Sequence, residues 1–537
     1  MATGLATRGL MRGCAAAVLA AAAILLAPLA WAEDGTIVMG IGDQWQSLDP
    51  QKSSASKDAQ ILGDVYEGLV GVDAAGNPAP GAAESWDVSA DGLTYTFHLR
   101  DGLKWSNGDP LVAQDFVNGA ERQENPEIAS EKAYYLYTQV PITGIAEYNS
   151  KALTDWSKVG ISAPDARTVV MHLVRMNPNI LRMLNYYYIS PLHKPSYDAH
   201  GVDFVQPENF VGNGAYVIKE LVPQTHVLLV KNPNYWDAAN VAVESIKYVV
   251  TEDVSTELKS FKAGQLDITW DVPTDQLESL KKEFGSELHI SPYAANNHLT
   301  FNSNKAPMTD IRIRKALTLA IDRNVVVNKV AKSGDRILTS FVPPMDPAYP
   351  ELRPVDFSDD QKANDALAKK LMEEAGYGPG KPLTINYNCT SDALPKKITQ
   401  AIAILWQQKL GVISRIRLQE STAHYEDFYK QEWDVYCDGI TGDYAGPEPF
   451  LVYHSVGAEA GYPWKNDAYE AKMAEAAEIA DPAARLKVLA EAEQIMLDDF
   501  HVAPLYQESK RNLIAKRVGG WVDNPIGYHL MKFVKLQ

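Results

Sequence analysis

The sequence predicts an α/β protein with a doubly wound core, and three observations carry that prediction. Residues 383–437 alternate strand, helix, strand, helix, strand. A second strand–helix–strand rhythm runs through ESIKYVVTEDVSTELKSFKAGQLDITW at 244–270. Residues from about 70 to 190 change character, with short alternating strands, and read as a small α+β unit of their own. A chain of 537 residues is longer than one core usually holds, so two or three domains are expected.

The elements follow in order. TIVMGIG at 36–42 is a strand, and 58–69 carries a helical pattern. Thr94–Leu99 alternates as a half-buried strand, between turns at Ser89-Ala90-Asp91-Gly92 and Ser106-Asn107-Gly108. A helix is expected over 113–123 and a further strand in RTVVMHLV. Two strands with Gly-Asn and Asn-Pro turns lie between 205 and 235. The 309–330 run reads as one long helix, with Thr309 able to cap it and Ile313, Ala316, Leu317, Ala320 and Ile321 on one face. The helix over 358–375 has Gly376 at its C′ position. Then come the strand LTINYNC, a helix over 396–409, the strand Ile413–Gln419, a helix over 425–431 and a strand over 433–437. Two surface helices, broken at Asp481-Pro482, fill 467–500.

Bulk composition narrows the function classes. Apolar residues make up 46% and charged residues 22%, as in ordinary globular proteins. A net charge of −18 argues against nucleic acid and against anionic lipid as partners. The first 32 residues have Arg8 and Arg12, an apolar run from Cys14 to Leu29, and Ala30-Trp31-Ala32. That is the pattern of a secretory signal peptide, with cleavage expected after Ala32. Removing its two arginines takes the charge to −20. No later stretch is long and apolar enough to span a membrane, so an exported protein is expected. The remaining cysteines, Cys389 and Cys437, end strand-like runs. Pairing and two buried free thiols both stay open, because sequence does not give their separation.

No motif for catalysis or for a resident metal is present. The 11 histidines form no H-E-x-x-H pair, and there is no phosphate-binding loop, G-x-S-x-G or G-x-G-x-x-G. His193 and His200, seven apart, suggest a metal set together with Asp198, but His193 follows a proline beside Lys194 and reads as a loop histidine; His298 reads as a core or cleft histidine. No cofactor and no enzyme activity are expected. The 433–451 stretch, WDVYCDGITGDYAGPEPFL, stands out instead. It runs from a strand into a loop with Gly439, Gly442, Gly446 and the lone carboxylate Asp443 beside Tyr444. In doubly wound sheets ligands sit beyond the carboxyl ends of strands. A solvated turn aspartate is the plainer alternative.

Several segments, in order along the chain, resemble the oligopeptide-binding proteins of bacterial ABC importers, a class that also holds dipeptide and nickel binders. They are SLDP (47–50), DVYEGLV (64–70), the long block PAPGAAESWDVSADGLTYTFHLRDGLKWSNGDPLVAQDF (78–116), NGAY (213–216), NPNYW (232–236), FKAGQLDI (261–268), DIRIRKALTLAIDR (310–323) and EEAGY (373–377). The resemblance implies a periplasmic-binding-protein-like, two-lobe α/β fold with an extra inserted α+β domain. It implies domain I at 33–66, 192–293 and 509–537, domain II at 67–191, and domain III at 294–508, after a signal peptide at 1–32. It implies a monomer that holds a short peptide between its lobes and delivers it to an inner-membrane permease. By the pattern D-V-x(7)-D-Y, Asp443 takes the aspartate that meets the peptide's α-ammonium.

The same resemblance marks Ser54, Ala55, Ser56, Lys132, Cys437, Gly439, Ile440, Thr441 and Tyr444 as ligand-facing. Four of these depart from the family pattern. Cys437 stands where relatives have an arginine, Ile440 where they have a tryptophan, Lys132 where they have a tyrosine, and Ser54 where they have an acid. The backbone groups at Ala55, Gly439 and Thr441 keep their roles, and Lys132 is a candidate partner for a peptide carboxylate. Alternatives are a cell-wall peptide or opine as ligand, an exported hydrolase, and a periplasmic chaperone. A chelated-nickel ligand finds no histidine placed to support it.

Overall fold

Thr36–Gly40, buried at every position, begins the first sheet. It pairs in parallel with Ser245–Val249, and His226–Lys231 and Tyr216–Val222 complete four strands by antiparallel pairing. This computed structural model describes residues 35–53, 56–185, 187–456, 461–527 and 529–537. The expected leader at 1–32 lies outside those residues. Helix Val254–Lys262 returns the chain toward Thr36–Gly40, but the expected second strand of that unit is only a bridge between Ile268 and Met39. The reason is local: the Asp267 carboxylate accepts from the Val38 amide, the donor a longer ladder would have used.

The first long helix is Ser56–Val65, four residues shorter at its end than its sequence pattern. Its stop is set by the NGAY segment. The Asn213 side chain bonds both the N–H and the C=O of Glu67, at 3.1 and 2.7 Å. Gly214 lies so close to this turn that a Cβ there would meet the carbonyl carbon of Val65 at 2.5 Å.

Ala83–Val88, Thr94–Leu99, Thr168–His172 and Ile161–Asp165 form a second, wholly antiparallel sheet in that spatial order. Tyr95, Phe97 and Leu99 alternate inward as the pattern requires. Helix Ala113–Glu124 covers the sheet with Phe116, Val117 and Ala120. Its Arg122 forms a buried ion pair with Asp49 of the SLDP segment, at 2.6 and 2.7 Å. Both sheets share one continuous apolar core.

The second lobe holds a six-stranded sheet in the order Arg336–Ile337, Val502–Leu513, Leu288–Phe301, Val435–Thr441, Thr384–Thr390, Ile413–Gln419. The last three strands are parallel, joined by helices Ala393–Leu410 and Ser421–Lys430. The single helix expected over 309–330 is two: Ile311–Ala320 and a wider-wound turn, Asn324–Ala331. Asp310, not Thr309, caps the first. Asp322 starts the second by accepting from the Val325 amide at 3.0 Å. Helices Asp467–Ala477 and Pro482–Asp498 pack on each other and on a further core around Phe341 and Tyr349.

Two strands run through both lobes. Leu288–Phe301 pairs with Val502–Leu513 from Leu288↔Leu513 to Thr300↔Val502, with a bulge between Pro292 and Asn296. Leu288 and Leu513 pack with Val38 and Leu258 of the first lobe, whereas Leu299, Phe301 and Ala503 lie in the core of the second. Among the described residues no helix is long and apolar enough to cross a membrane.

Candidate functional site

The strand expected to end at Cys437 runs on to Thr441, so Gly439, Ile440 and Thr441 are extended ladder residues, not loop. Leu288–Phe301 holds one edge of it, from Phe301↔Val435 to Ala295↔Thr441. Thr384–Thr390 holds the other edge only at Val435 and Tyr436. Past that point the Cys389–Cys437 disulfide ties the two strands, with Cα atoms 5.1 Å apart, and the ladder stops. The Gly442 amide donates to Ala294 at 2.7 Å. Antiparallel pairs alternate, so Ile440 also faces the Leu288–Phe301 partner. Gly439 and Thr441 therefore face the open edge; the Gly439 N–H is taken by the Asp438 carboxylate at 2.8 Å, which leaves the Gly439 C=O and the Thr441 N–H and C=O without a ladder partner among the described residues. A sheet edge of this kind accepts another extended chain.

Gly439 is required by close approach: a Cβ there would lie 2.9 Å from the Asn296 carbonyl oxygen. The open edge borders a cavity of about 260 Å³ lined by the disulfide, Asn297, Thr390, Asp392 and Glu508. A second cavity of about 200 Å³ lies beside Ile440 and is walled mainly by tyrosines.

Asp443 follows this strand and is half-buried. Burial raises its pKa, and the Lys132 charge opposes that rise. Its carboxylate also acts on two phenols, Tyr187 of the first lobe and Tyr293 beside the bulge. Burial, then the charges of Glu508 and Asp443, push Tyr293 up to about 12. Three chain regions remote in sequence thus meet around one carboxylate. The Lys132 charge, expected to serve a peptide carboxylate, acts on Asp443, a carboxylate of the protein itself.

Tyr444 is 4% exposed and joins the core of the first lobe, although its strand belongs to the second. Its hydroxyl accepts from Asn179 at 3.1 Å, and Arg182 donates to the Ala445 carbonyl at 2.7 Å. The Asp443 loop therefore docks across the cleft. Ser54 and Ala55 lie outside the described residues, and Ser56 is the first residue of its helix. Ser53, just before them, lies 3.1 Å from the Tyr187 hydroxyl. That places the SLDP segment next to a neighbour of Asp443. His193 caps helix Lys194–His200 and lies 3.0 Å from Asp109, as a structural histidine does. His298 is fully buried against Phe341. No metal-ligating cluster exists among the described residues. Sequence reasoning missed Asn179, Arg182, Tyr187 and Tyr293, which have no local pattern; only their place in the fold brings them to Asp443 or to the Tyr444-Ala445 segment after it.

Two lobes joined by a strand pair, with a desolvated carboxylate and an unpaired strand edge between them, define a two-lobed binding protein. The chain belongs to the bacterial extracellular solute-binding proteins of family 5, whose middle region matches residues 77–462. It is 34% identical to the periplasmic oligopeptide-binding protein OppA of Escherichia coli, over 96% of this chain and 95% of that one. It is 32% identical to the periplasmic murein peptide-binding protein MppA of E. coli, over 92% of each chain. The unliganded open form of MppA superposes with a TM-score of 0.83 over 94% of this chain and 98% of that one, at 30% identity. Haemophilus influenzae OppA, in complex with the peptide RPPGFSPFR, gives 0.76 over 94% and 99%, at 28% identity.

Proposed function

We propose that this protein captures short peptides in the cleft between its lobes and delivers them to the membrane permease of an ABC importer. The observation that carries the reading is the open edge formed by the Gly439 carbonyl and by the N–H and C=O of Thr441, which lies two residues from Asp443. An extended peptide adds to that edge as a strand, and its backbone supplies the groups the edge lacks. Its α-ammonium meets Asp443, for which burial without a counter-charge is costly. A charge-assisted hydrogen bond offsets that cost. The Lys132 charge opposes the rise in the Asp443 pKa that burial causes. The likeness to MppA supports a cell-wall peptide as one such ligand.

In this reading residues 33–66, 192–293 and 509–537 form domain I, 67–191 domain II and 294–508 domain III. The family resemblance assigns Ser54, Ala55 and Ser56 to ligand contact from domain I. The protein works as a periplasmic monomer after loss of residues 1–32, and carries out no chemistry on its ligand.

The test is a thermal-shift and calorimetry comparison of free and N-acetylated tripeptides. Free peptides bind more tightly by about tenfold or more, and Asp443→Ala abolishes the difference. Equal binding of free and acetylated peptides would remove Asp443 from this role. Mass spectrometry of ligands released on denaturation separates the alternatives, because a hydrolase would release shortened products that accumulate with time.

A further inference from the structure

Asp438 is the unexplained group beside the peptide edge. Its side chain is only 11% exposed, yet no cation among the described residues faces it. It accepts from the Tyr462 hydroxyl and from the Gly439 amide, the latter at 2.8 Å. The nearest imidazole, His298 Nε2 at 3.9 Å, is held neutral by burial, which pushes its pKa down to about 3. A carboxylate so placed is expensive unless a positive charge reaches it.

The cavity of about 200 Å³ next to Asp438 supplies the route. It is below the size of a small-molecule site and suits one side chain. Tyr425, Phe428, Tyr429, Tyr436, Tyr453 and Tyr462 line it. Tyr425 and Tyr429 stand one turn apart on helix Ser421–Lys430, 59% and 62% exposed, at its mouth. Gly439–Thr441, the proposed peptide edge, forms the remaining wall. Aromatic faces attract cations, and a carboxylate at the base of an aromatic pocket adds a charge-assisted hydrogen bond. An apolar side chain would satisfy the rings but leave Asp438 desolvated and unpaired. An acidic one would be repelled.

We infer that this cavity is a specificity pocket for a cationic side chain, lysine or arginine, of the bound peptide, with Asp438 as its charge partner and the tyrosines as its walls. The inference rests on the peptide-capture reading but concerns a carboxylate other than Asp443. The pocket takes a side chain, whereas Asp443 takes the main-chain amine.

Isothermal calorimetry on the full-length mature protein tests it with trialanine carrying lysine or norleucine at each position in turn. Norleucine keeps the alkyl stem and drops the charge. The expected result is a lysine preference of about tenfold or more at one position. Asp438→Asn brings the lysine-to-norleucine ratio close to one, and Tyr425→Leu lowers it in part. The wild-type comparison and the surface variant Tyr425→Leu keep the test decisive if Asp438→Asn fails to fold. Equal affinity for lysine and norleucine at all three positions overturns the pocket and leaves peptide capture standing. A preference that survives Asp438→Asn overturns the role of Asp438. Failure of every peptide to bind overturns both readings.

Discussion

Asp443 is held in an environment that works against its own charge. Burial raises its pKa, and the Lys132 ammonium pulls the other way without cancelling the rise. A carboxyl whose pKa is raised on folding stabilises the protein most at low pH, and that contribution is lost as pH rises through the raised value. Asp443→Asn removes the penalty of ionisation. The ligand-free variant should therefore melt above the wild type at pH 7, with the gap closing on acidification, while its preference for free over acetylated peptides disappears. Scanning calorimetry from pH 4 to 8 checks the first part; a lower melting point at pH 7 would contradict it. Ammonium binding needs the ionised carboxylate, so peptide affinity should fall as pH drops through the raised pKa. Lys132→Met removes the opposing charge and should shift that loss to higher pH. The D-V-x(7)-D-Y pattern made Asp443 legible in the sequence. The approach of Lys132 was not, because it depends on how an inserted domain docks on the other lobe. Asp438 was equally hidden: it reads as one polar position near a strand end, and its lack of a cationic partner among the described residues exists only in three dimensions.

At the scale of elements, the strand Val435–Thr441 shows how glycine misleads a sequence reading. Gly439 and Gly442 suggest a loop, yet Gly439 is an extended ladder residue opposite Asn297, and it is glycine because its partner strand approaches too closely for a Cβ. Gly439→Ala must displace either the Asn296 carbonyl or its own strand. It should cost about 1–3 kcal/mol in urea unfolding and weaken peptide binding, since Gly439 lies on the proposed docking edge. An unchanged urea midpoint would show that the neighbouring strand gives way freely. The disulfide acts on the same element from the other side. It closes a loop of 48 residues at the point where the Thr384–Thr390 ladder ends. Replacing Cys389 and Cys437 by serine should cost about 4 kcal/mol of stability by loop entropy, and dithiothreitol should reproduce the loss in the wild type. The alternation of strands and helices over 383–437 was legible because each segment carries its own period. The break in the 309–330 helix was not, since the apolar face continues across Asp322, whose side chain restarts the helix.

For the whole molecule, local periodicity says which segments are strands but not which strands cross between lobes. Leu288–Phe301 and Val502–Leu513 are the crossing pair, bulged at Pro292–Asn296 and anchored in a different core at each end. A two-strand link with a bulge in its middle resists bending far less than the packed sheets on either side. Such links let lobes rotate as rigid bodies. Across the cleft, Arg182–Ala445 and Asn179–Tyr444 bond the inserted region to the Asp443 loop. A hydrogen bond from a charged donor contributes about 1.5–3 kcal/mol, comparable with the bias needed to hold one lobe arrangement over another. Arg182→Ala should therefore shift the peptide-free protein toward wider lobe separation, seen as a larger radius of gyration in X-ray scattering. Saturating peptide should contract both proteins to the same compact form, and at a hundredfold excess over Kd it should add about 2.7 kcal/mol to the wild-type stability. Part of the variant's binding energy must then go into closure, so its peptide affinity should be lower. Scattering curves identical with and without peptide, in a protein that calorimetry shows to be fully loaded, would mean that the lobes do not rotate and that this strand pair is a rigid strut.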